Sequence, residues 1–210
     1  MIISVDGIIG CGKSTQISKL MNSKYFNEFK IYPEEVDKWV DEKWIESFYH
    51  DSCRFCFGFQ MRVLLSHSKL LKYTNKFSDL LETNDNLVIC ERNPFSSCMI
   101  FGDMAYESKL MTEMEKNLNY QYFEKIGWKP NHIIYLKCTP NIAMNRTMNR
   151  NRDGEDRLSI SYLKKLNEKY DEKLKNISNC VVHVVDADKD EETVFNNIKN
   201  IITDITNNNK

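Results

Sequence analysis

The run from Ile2 to Ser14 restricts this chain to a narrow set of folds. Ile2, Ile3, Ser4 and Val5 read as a short buried strand, and Gly7-Ile8-Ile9-Gly10-Cys11-Gly12-Lys13-Ser14 follows almost at once. That is the G-x-x-x-x-G-K-[ST] pattern in a strand–loop–helix setting. Its glycines let the backbone curl so that successive N–H groups face one anion. A helix opening at Lys13 adds its positive N-terminal end to the same place. Lys13 can reach the β- and γ-phosphates of ATP or another nucleoside triphosphate, the Ser14 hydroxyl can ligate Mg²⁺, and the whole run from Gly7 to Thr15 is the candidate phosphate-binding stretch. A glycine turn without function would account for the glycines but not for Lys and Ser at these offsets. The reading is triphosphate binding on an α/β scaffold.

At 210 residues the chain has the length of one α/β domain, 1–210, with a sizeable core. A formal net charge of −1 lacks the basic excess of a general nucleic-acid binder, so no nucleic-acid polymer is expected as a partner. No apolar run approaches the ~20 residues of a membrane span, and no membrane partner is expected either. A strand beginning at residue 2 leaves no room for a signal or transit peptide, which points to a cytoplasmic address. Most of the seven cysteines sit in apolar runs, where a thiol behaves as a small hydrophobe. Cys53 and Cys56 have C-x-x-C spacing but no second pair follows, and Arg54, Phe55 and Phe57 around them favour a helix over a metal or redox turn.

Along the chain, residues 13–21 read as a helix and 29–32 as a strand ending at Pro33. Glu34, Glu35 and Trp39 stand just past its carboxyl end, where open α/β sheets bind ligands. An acid there is either a candidate base or part of a solvated pair opening a helix over 36–49; both readings stand. Residues 53–73 are helical, with Phe55, Phe59 and Val63 recurring every four residues and Gln60, Val63 and His67 on one face. Gln60 needs a hydrogen-bond partner there, and an internal one is the more ordinary solution. The strand 87–90 ends in Glu91-Arg92, on the same sheet edge as the phosphate loop, which favours function over a structural ion pair. Residues 101–128 read as helical and Met-rich, more core and subunit contact than cofactor site.

A strand over 132–136 leads into a helix from Asn141, on which Arg146 and Arg150 share a face. Arg152 and Arg157 lie in or after the turn signal 151–154. Asp153, Glu155 and Asp156 could neutralise this cluster. A phosphate-clamping lid over about 146–157 is the stronger reading, because charge stabilisation dominates phosphoryl transfer. A helix over 159–175, a strand over 180–185, a loop with Asp186 and Asp188, and a helix over 191–205 complete the chain, with a tail 206–210 expected to fray. The alternation predicts a doubly wound, parallel five-stranded sheet with helices on both faces.

In combination these motifs resemble the deoxyribonucleoside kinases, P-loop kinases related to the thymidylate kinases. The resemblance runs from residue 2 to about 188. It rests on the phosphate loop, Pro33-Glu34-Glu35-Val36-Asp37-Lys38-Trp39, Tyr49, Phe57-Gly58-Phe59-Gln60, Glu91-Arg92 and Arg150-Asn151-Arg152-Asp153-Gly154-Glu155. It implies the three-layer P-loop kinase sandwich with an Arg-rich lid. The implied partners are two small molecules, a deoxyribonucleoside acceptor and an NTP donor, with Mg²⁺. Glu34 matches the carboxylate that deprotonates the 5′-hydroxyl, Arg92 the arginine beside it, and Glu91 the acid near Mg²⁺. Tyr49 and Glu155 match the pair on the sugar 3′-hydroxyl, and Gln60 the glutamine on the base edge. Trp39, Phe59 and Phe101 match the aromatic walls. Arg146, Arg150 and Arg152 match the lid arginines over the donor, and Asp186 and Asp188 fall on the donor side. By this resemblance Glu34 and Gln60 turn towards function.

Two departures carry information. Asn93-Pro94 follows the Glu-Arg pair where relatives carry Ser or Thr. At the base-selecting positions stand Val63, His67 and Ser97; deoxycytidine-preferring relatives resemble Ala, Arg and Asp there, and thymidine-accepting ones Val, Met and Ala. The pattern favours thymidine, with deoxycytidine possible, and His67 has no counterpart. A thymidylate kinase needs an arginine for the acceptor phosphate where this chain has Glu34 and Glu35, which would repel it. A non-catalytic relative could lose Lys13, Glu34 or Arg92, yet all three stand in place, and a switch GTPase needs an Asn-Lys-x-Asp base reader that is missing. The resemblance, with apolar helices over 55–71 and 101–114, implies a homodimer.

Overall fold

Five short runs with little charge make the sheet: β1 (Ile2–Asp6), β2 (Lys30–Tyr32), β3 (Val88–Glu91), β4 (His132–Lys137) and β5 (Val181–Asp186). A computed structural model of the protein describes residues 1–74, 87–152 and 155–208. In it the strands pair in parallel in the order β2-β3-β1-β4-β5. Ile3, Val5, Ile89, Ile133, Ile134 and Leu136 have no solvent exposure. Covered on both faces, these strands read as continuous apolar runs rather than alternating ones. The chain leaves central β1 towards β2 on one side and later crosses to β4 and β5 on the other. The carboxyl ends of β1, β2 and β3 therefore open on one edge, where ligands bind in such sheets. This is the doubly wound, parallel five-stranded α/β architecture that the sequence predicts.

The helices differ from the sequence reading at their breaks. The expected helix over 36–49 is two, α2 (Val36–Asp41) and α3 (Trp44–His50), separated where Lys43 takes a left-handed φ of 63°. A left-handed residue cannot continue a right-handed helix. The helix expected over 53–73 is α4 (Ser52–His67), opened by the Asp51 carboxylate accepting from the Arg54 N–H, and its last turns are 3-10 over Ser68–Tyr73. Cys53 and Cys56 lie on its first turns as free thiols.

The region 101–128 is not one helix. α5 (Pro94–Ser96), a π-helical stretch Ser97–Gly102 and α6 (Asp103–Glu107) run continuously, and the passage ends where Lys109 has φ 59°. A capping box, Thr112 with Glu115, then opens α7 (Glu113–Ile126). That S/T-x-x-E spacing is legible in sequence as a helix start.

The remaining helices are α1 (Lys13–Asn22), α8 (Pro140–Arg150), α9 (Ile160–Lys175) and α10 (Glu191–Asn207). A 3-10 turn, Glu155–Arg157, precedes α9. α10 extends through residues 206 and 207, which the sequence reading assigned to a fraying tail; residues 209 and 210 lie outside the described residues. So do Asp153 and Gly154 of the expected lid turn. Among the described residues no helix is long and apolar enough to cross a membrane.

Candidate active site

The phosphate loop occupies the carboxyl end of β1. Gly10 and Gly12 have φ of 82° and 98°, a region that side chains rarely tolerate. A Cβ at Gly10 would lie 2.2 Å from the Ala143 carbonyl oxygen, so α8 packs directly on the loop only because that side chain is missing. Gly7 donates its N–H to Asp6 Oδ1 at 2.8 Å, Ile8 is buried in the core, and Lys13 Nζ donates to the Ile8 carbonyl at 2.9 Å.

From Gly10 to Gln16 the loop and the start of α1 wall a cleft of about 490 Å³, completed by Arg146, Asn149, Arg150, Arg152, Ala187, Lys189, Glu191 and Val194. Arg146 is anchored there by donating to the Ala187 carbonyl at 2.8 Å. The three predicted lid arginines thus share one wall. Asp186 and Asp188, predicted on the donor side, do not line the cleft. The Asp188 carboxylate accepts from the Thr139 N–H at 2.7 Å and from its hydroxyl, securing the start of α8, and Asp186 Oδ1 accepts from the Asp188 N–H. These acids are occupied with the backbone turn, and Ala187 and Lys189 form the wall instead.

A second, smaller cavity of about 140 Å³ lies between α2, α3, α4 and the α5–π passage. Trp39, Tyr49, Phe59, Gln60, Val63, Ser97, Phe101 and Glu155 line it, as predicted residues, together with Ile9 of the phosphate loop. Trp39 meets Phe59 edge-on with ring centroids 5.7 Å apart, and Phe59 also packs on Phe48 and Trp44. The Gln60 side-chain amide has no hydrogen-bond partner among the described residues. The internal partner that sequence reasoning preferred is therefore missing, and the amide faces the cavity. Burial raises the Tyr49 phenol well above its usual range, and Glu155 adds to the shift.

His67 is the predicted nucleoside contact that the structure removes from the cavity wall. It lies buried behind Ser97, with Nε2 3.2 Å from the Ser97 hydroxyl and its ring edge-on to Trp128. Burial, reinforced by Lys69 and Arg92, drives its pKa down to about 3, so the ring is neutral. A position on the same helix face as Gln60 and Val63 did not distinguish a lining residue from one a turn further in. Sequence reasoning also missed Ile45, Phe48 and Tyr162 on the wall. Phe48 was visible as the neighbour of Tyr49; Tyr162 arrives only through the packing of α9.

The cleft and the cavity share Gly10, Lys13, Ser14, Arg150 and Arg152. At this junction Ser14 Oγ donates to Glu91 Oε1 at 2.7 Å, and Glu91 Oε2 accepts the Glu34 N–H at 3.3 Å. Glu34 Oε1 lies 3.3 Å from Arg92 Nε. Desolvation pushes the Glu34 carboxyl up to about 7, against the pull of Arg92 and Lys13 and with the repulsion of Glu91 and Asp6. Burial opposes the charge on Arg92, but Tyr170, Glu34 and Asp6 outweigh it and hold its pKa above the usual guanidinium range. Arg92 itself has a left-handed φ of 58° and stacks over Phe101 at 4.6 Å. Glu155 accepts from Arg150 at 2.6 Å and Arg152 at 3.1 Å, which ties the predicted lid to the cavity.

The Asn93-Pro94 departure has a physical role. Asn93 Oδ1 accepts from the Ser96 N–H, capping the short helix that Pro94 begins, while Nδ2 donates to Ser4 Oγ and Asp6 Oδ2. Pro at the first helical position costs no backbone bond. The loop after Arg92 is thereby fastened to β1.

Such a phosphate loop facing an aromatic-lined cavity, with a buried acid and arginine between them, defines a P-loop phosphotransferase. Residues 3–208 match the family model for deoxynucleoside kinase. The chain is 33% identical over 202 residues to the kinase-named protein 029R of Invertebrate iridescent virus 3, covering 96% of each. It is 30% identical to FPV151 of Fowlpox virus (strain NVSL), named for deoxycytidine kinase, over 80% of this chain and 69% of that one. Relatives between 25% and 28% identical are named deoxyadenosine, thymidine and deoxyguanosine kinases. The structure of a deoxyadenosine kinase from M. mycoides with dCMP and dCDP shares the fold, with a TM-score of 0.80, 24% identity, and 98% and 100% of the two chains covered. The chain belongs to the deoxynucleoside kinase family.

Proposed function

We propose that this kinase transfers the γ-phosphoryl group of ATP, or another NTP, to the 5′-hydroxyl of a deoxyribonucleoside, with thymidine favoured and deoxycytidine accepted. The observation that carries the reading is the junction at Lys13 and Ser14, where a cationic cleft meets an aromatic cavity with Glu34 on the acceptor side. A sugar hydroxyl is a poor nucleophile, and a carboxylate poised near neutral pH is suited to take its proton as the phosphoryl group transfers. Lys13, Arg150 and Arg152 stabilise the charge on the equatorial phosphoryl oxygens, the main catalytic term in this chemistry. Arg92 steadies Glu34 and adds to the same field. The lid, 146–157, excludes the water that would otherwise hydrolyse the donor.

Ser14 and Glu91 offer adjacent hard oxygens at the junction, a donor set that fits Mg²⁺ when phosphate oxygens and water complete the shell. Bound there, Mg²⁺ supplies charge neutralisation for the donor phosphates. The donor assignment agrees with neighbours of this fold whose structures hold dATP or dCTP.

On the acceptor side, Tyr49 and Glu155 hold the sugar, Trp39, Phe59 and Phe101 sandwich the base, and the unpaired Gln60 amide reads its edge. The neutral Ser97–His67 pair presents no charge to the base. Ser97 can donate or accept, so neither a 4-keto nor a 4-amino group is excluded, and the space beside Val63 favours the thymine methyl. A thymidylate kinase reading meets Glu34 on the cavity wall where an acceptor phosphate would sit, while Glu35 turns away to Lys38, Arg62 and Lys69. The test is a transfer assay comparing thymidine with its monophosphate: thymidine turns over faster, and faster turnover of the monophosphate overturns the proposal.

The whole chain acts as one kinase domain in the cytoplasm. Exposed Leu65 on α4 and Met114 and Leu118 on α7 support a homodimer through that face, which sedimentation velocity checks.

A further inference from the structure

Beside Arg92 lies a buried group that the mechanism above does not use. Tyr170, in the middle of α9, has no solvent exposure and stacks parallel on Tyr135, with ring centroids 5.7 Å apart. Its hydroxyl donates to Asp6 Oδ1 at 2.6 Å and accepts from Arg92 Nη1 at 2.5 Å. Asp6 is itself fully buried. Its carboxylate also takes the Gly7 N–H, Asn93 Nδ2 and, at 3.3 Å, Arg92 Nη1 directly. Phe101, stacked under Arg92, meets Tyr170 edge-on at 6.2 Å. Arg92 therefore has two ends: Nε towards Glu34, and Nη1 held by Asp6 and Tyr170.

We propose that Tyr170, acting with Asp6, is a positioning residue that fixes Arg92 against Glu34. Resting on the reading of Glu34 as the base, it adds a residue remote from both ligands and a link from α9 to the phosphate loop. A guanidinium on a backbone with φ 58° has few orientations in which one edge meets Glu34 while its face covers Phe101. The phenol hydroxyl selects one of them by accepting and donating at once. An arginine free to swing away loses its contact with Glu34 and takes a cation away from the junction, where Lys13 remains.

Tyr170→Phe tests this, because phenylalanine keeps the ring stack on Tyr135 and leaves Asp6 three other donors. Thermal melting verifies the fold. The expected result is kcat reduced about tenfold with KM for thymidine within about twofold. A structural role alone would lower the melting temperature without this split between kcat and KM. Unchanged kcat in a folded Tyr170→Phe variant overturns the proposal. Failure of the underlying reading looks different: the wild-type pH profile of kcat/KM would have no acid limb, or Glu34→Gln would retain it.

Discussion

Replacing Glu34 by glutamine separates binding from chemistry at this site. The amide keeps the size of the side chain and its contact with Arg92 Nε, while Arg92 retains Asp6 as a counter-charge. Thymidine binding should therefore change by no more than a few-fold, read by calorimetry. Turnover should fall by ~10²–10⁴, the range for a lost general base. The pH profile sharpens the test. With its pKa raised to about 7 by desolvation, Glu34 is mostly protonated at pH 6 and mostly ionised at pH 8. Only the ionised form accepts a proton, so wild-type kcat/KM should drop roughly tenfold per unit below pH 7, as free-enzyme profiles report. Measured across pH 5.5 to 8.5 by coupled assay, about that range, the variant should show a low, flat line through this region. A Glu34→Gln enzyme within tenfold of wild type, or one that keeps the acid limb, would refute the assignment and move the base to Glu91.

Other perturbations address the remaining parts. Lys13→Ala should cut turnover by at least about 10³ by removing a cation from the transferring phosphoryl group, and a fully active variant would support a non-catalytic role for the loop. Gln60→Leu should raise KM for thymidine about 10- to 100-fold with little change in kcat, because base pairing is distant from the reacting atoms; an unchanged KM means the amide does not face the base. Thymidine or ATP at about 100 times its Kd should stabilise the fold by about 2.7 kcal/mol, a melting shift of about 5–10 °C for a chain of this size, and no shift from either counts against both cavities. Thr112→Ala, removing the hydroxyl of the capping box that opens α7, should cost about 1 kcal/mol by chemical denaturation without affecting activity.

The strand plan was legible because all five parallel strands are rich in apolar residues, and each β-run emerged within a residue or two of its expected bounds. The phosphate loop was legible because glycine, lysine and serine have fixed mechanical tasks at fixed offsets. Helix breaks were not. Lys43 and Lys109 turn left-handed without a glycine or asparagine to announce it, so two expected helices divide. The candidate site residues divide for a geometric reason. Trp39, Gln60, Val63 and Ser97 face the cavity, but His67, one helical turn beyond Val63, passes behind Ser97. Periodicity gives a face and does not say where along that face a cavity ends. Asp186 and Asp188 stand at the right strand end, yet neither lines the cleft: Asp188 accepts from Thr139, and Asp186 accepts the Asp188 N–H. Tyr170 left no trace in the pattern: an aromatic residue on an amphipathic helix reads as core, and only the third dimension brings it to Asp6 and Arg92.

The central claim is that a phosphoryl group moves from the cleft to a nucleoside in the aromatic cavity. The most direct measurement is transfer of label from γ-labelled ATP to each of the four common deoxyribonucleosides, with products resolved from one another and from released phosphate. Labelled 5′-monophosphates should form, fastest with thymidine and next with deoxycytidine. Release of labelled phosphate with no labelled nucleotide from any of them would contradict the account.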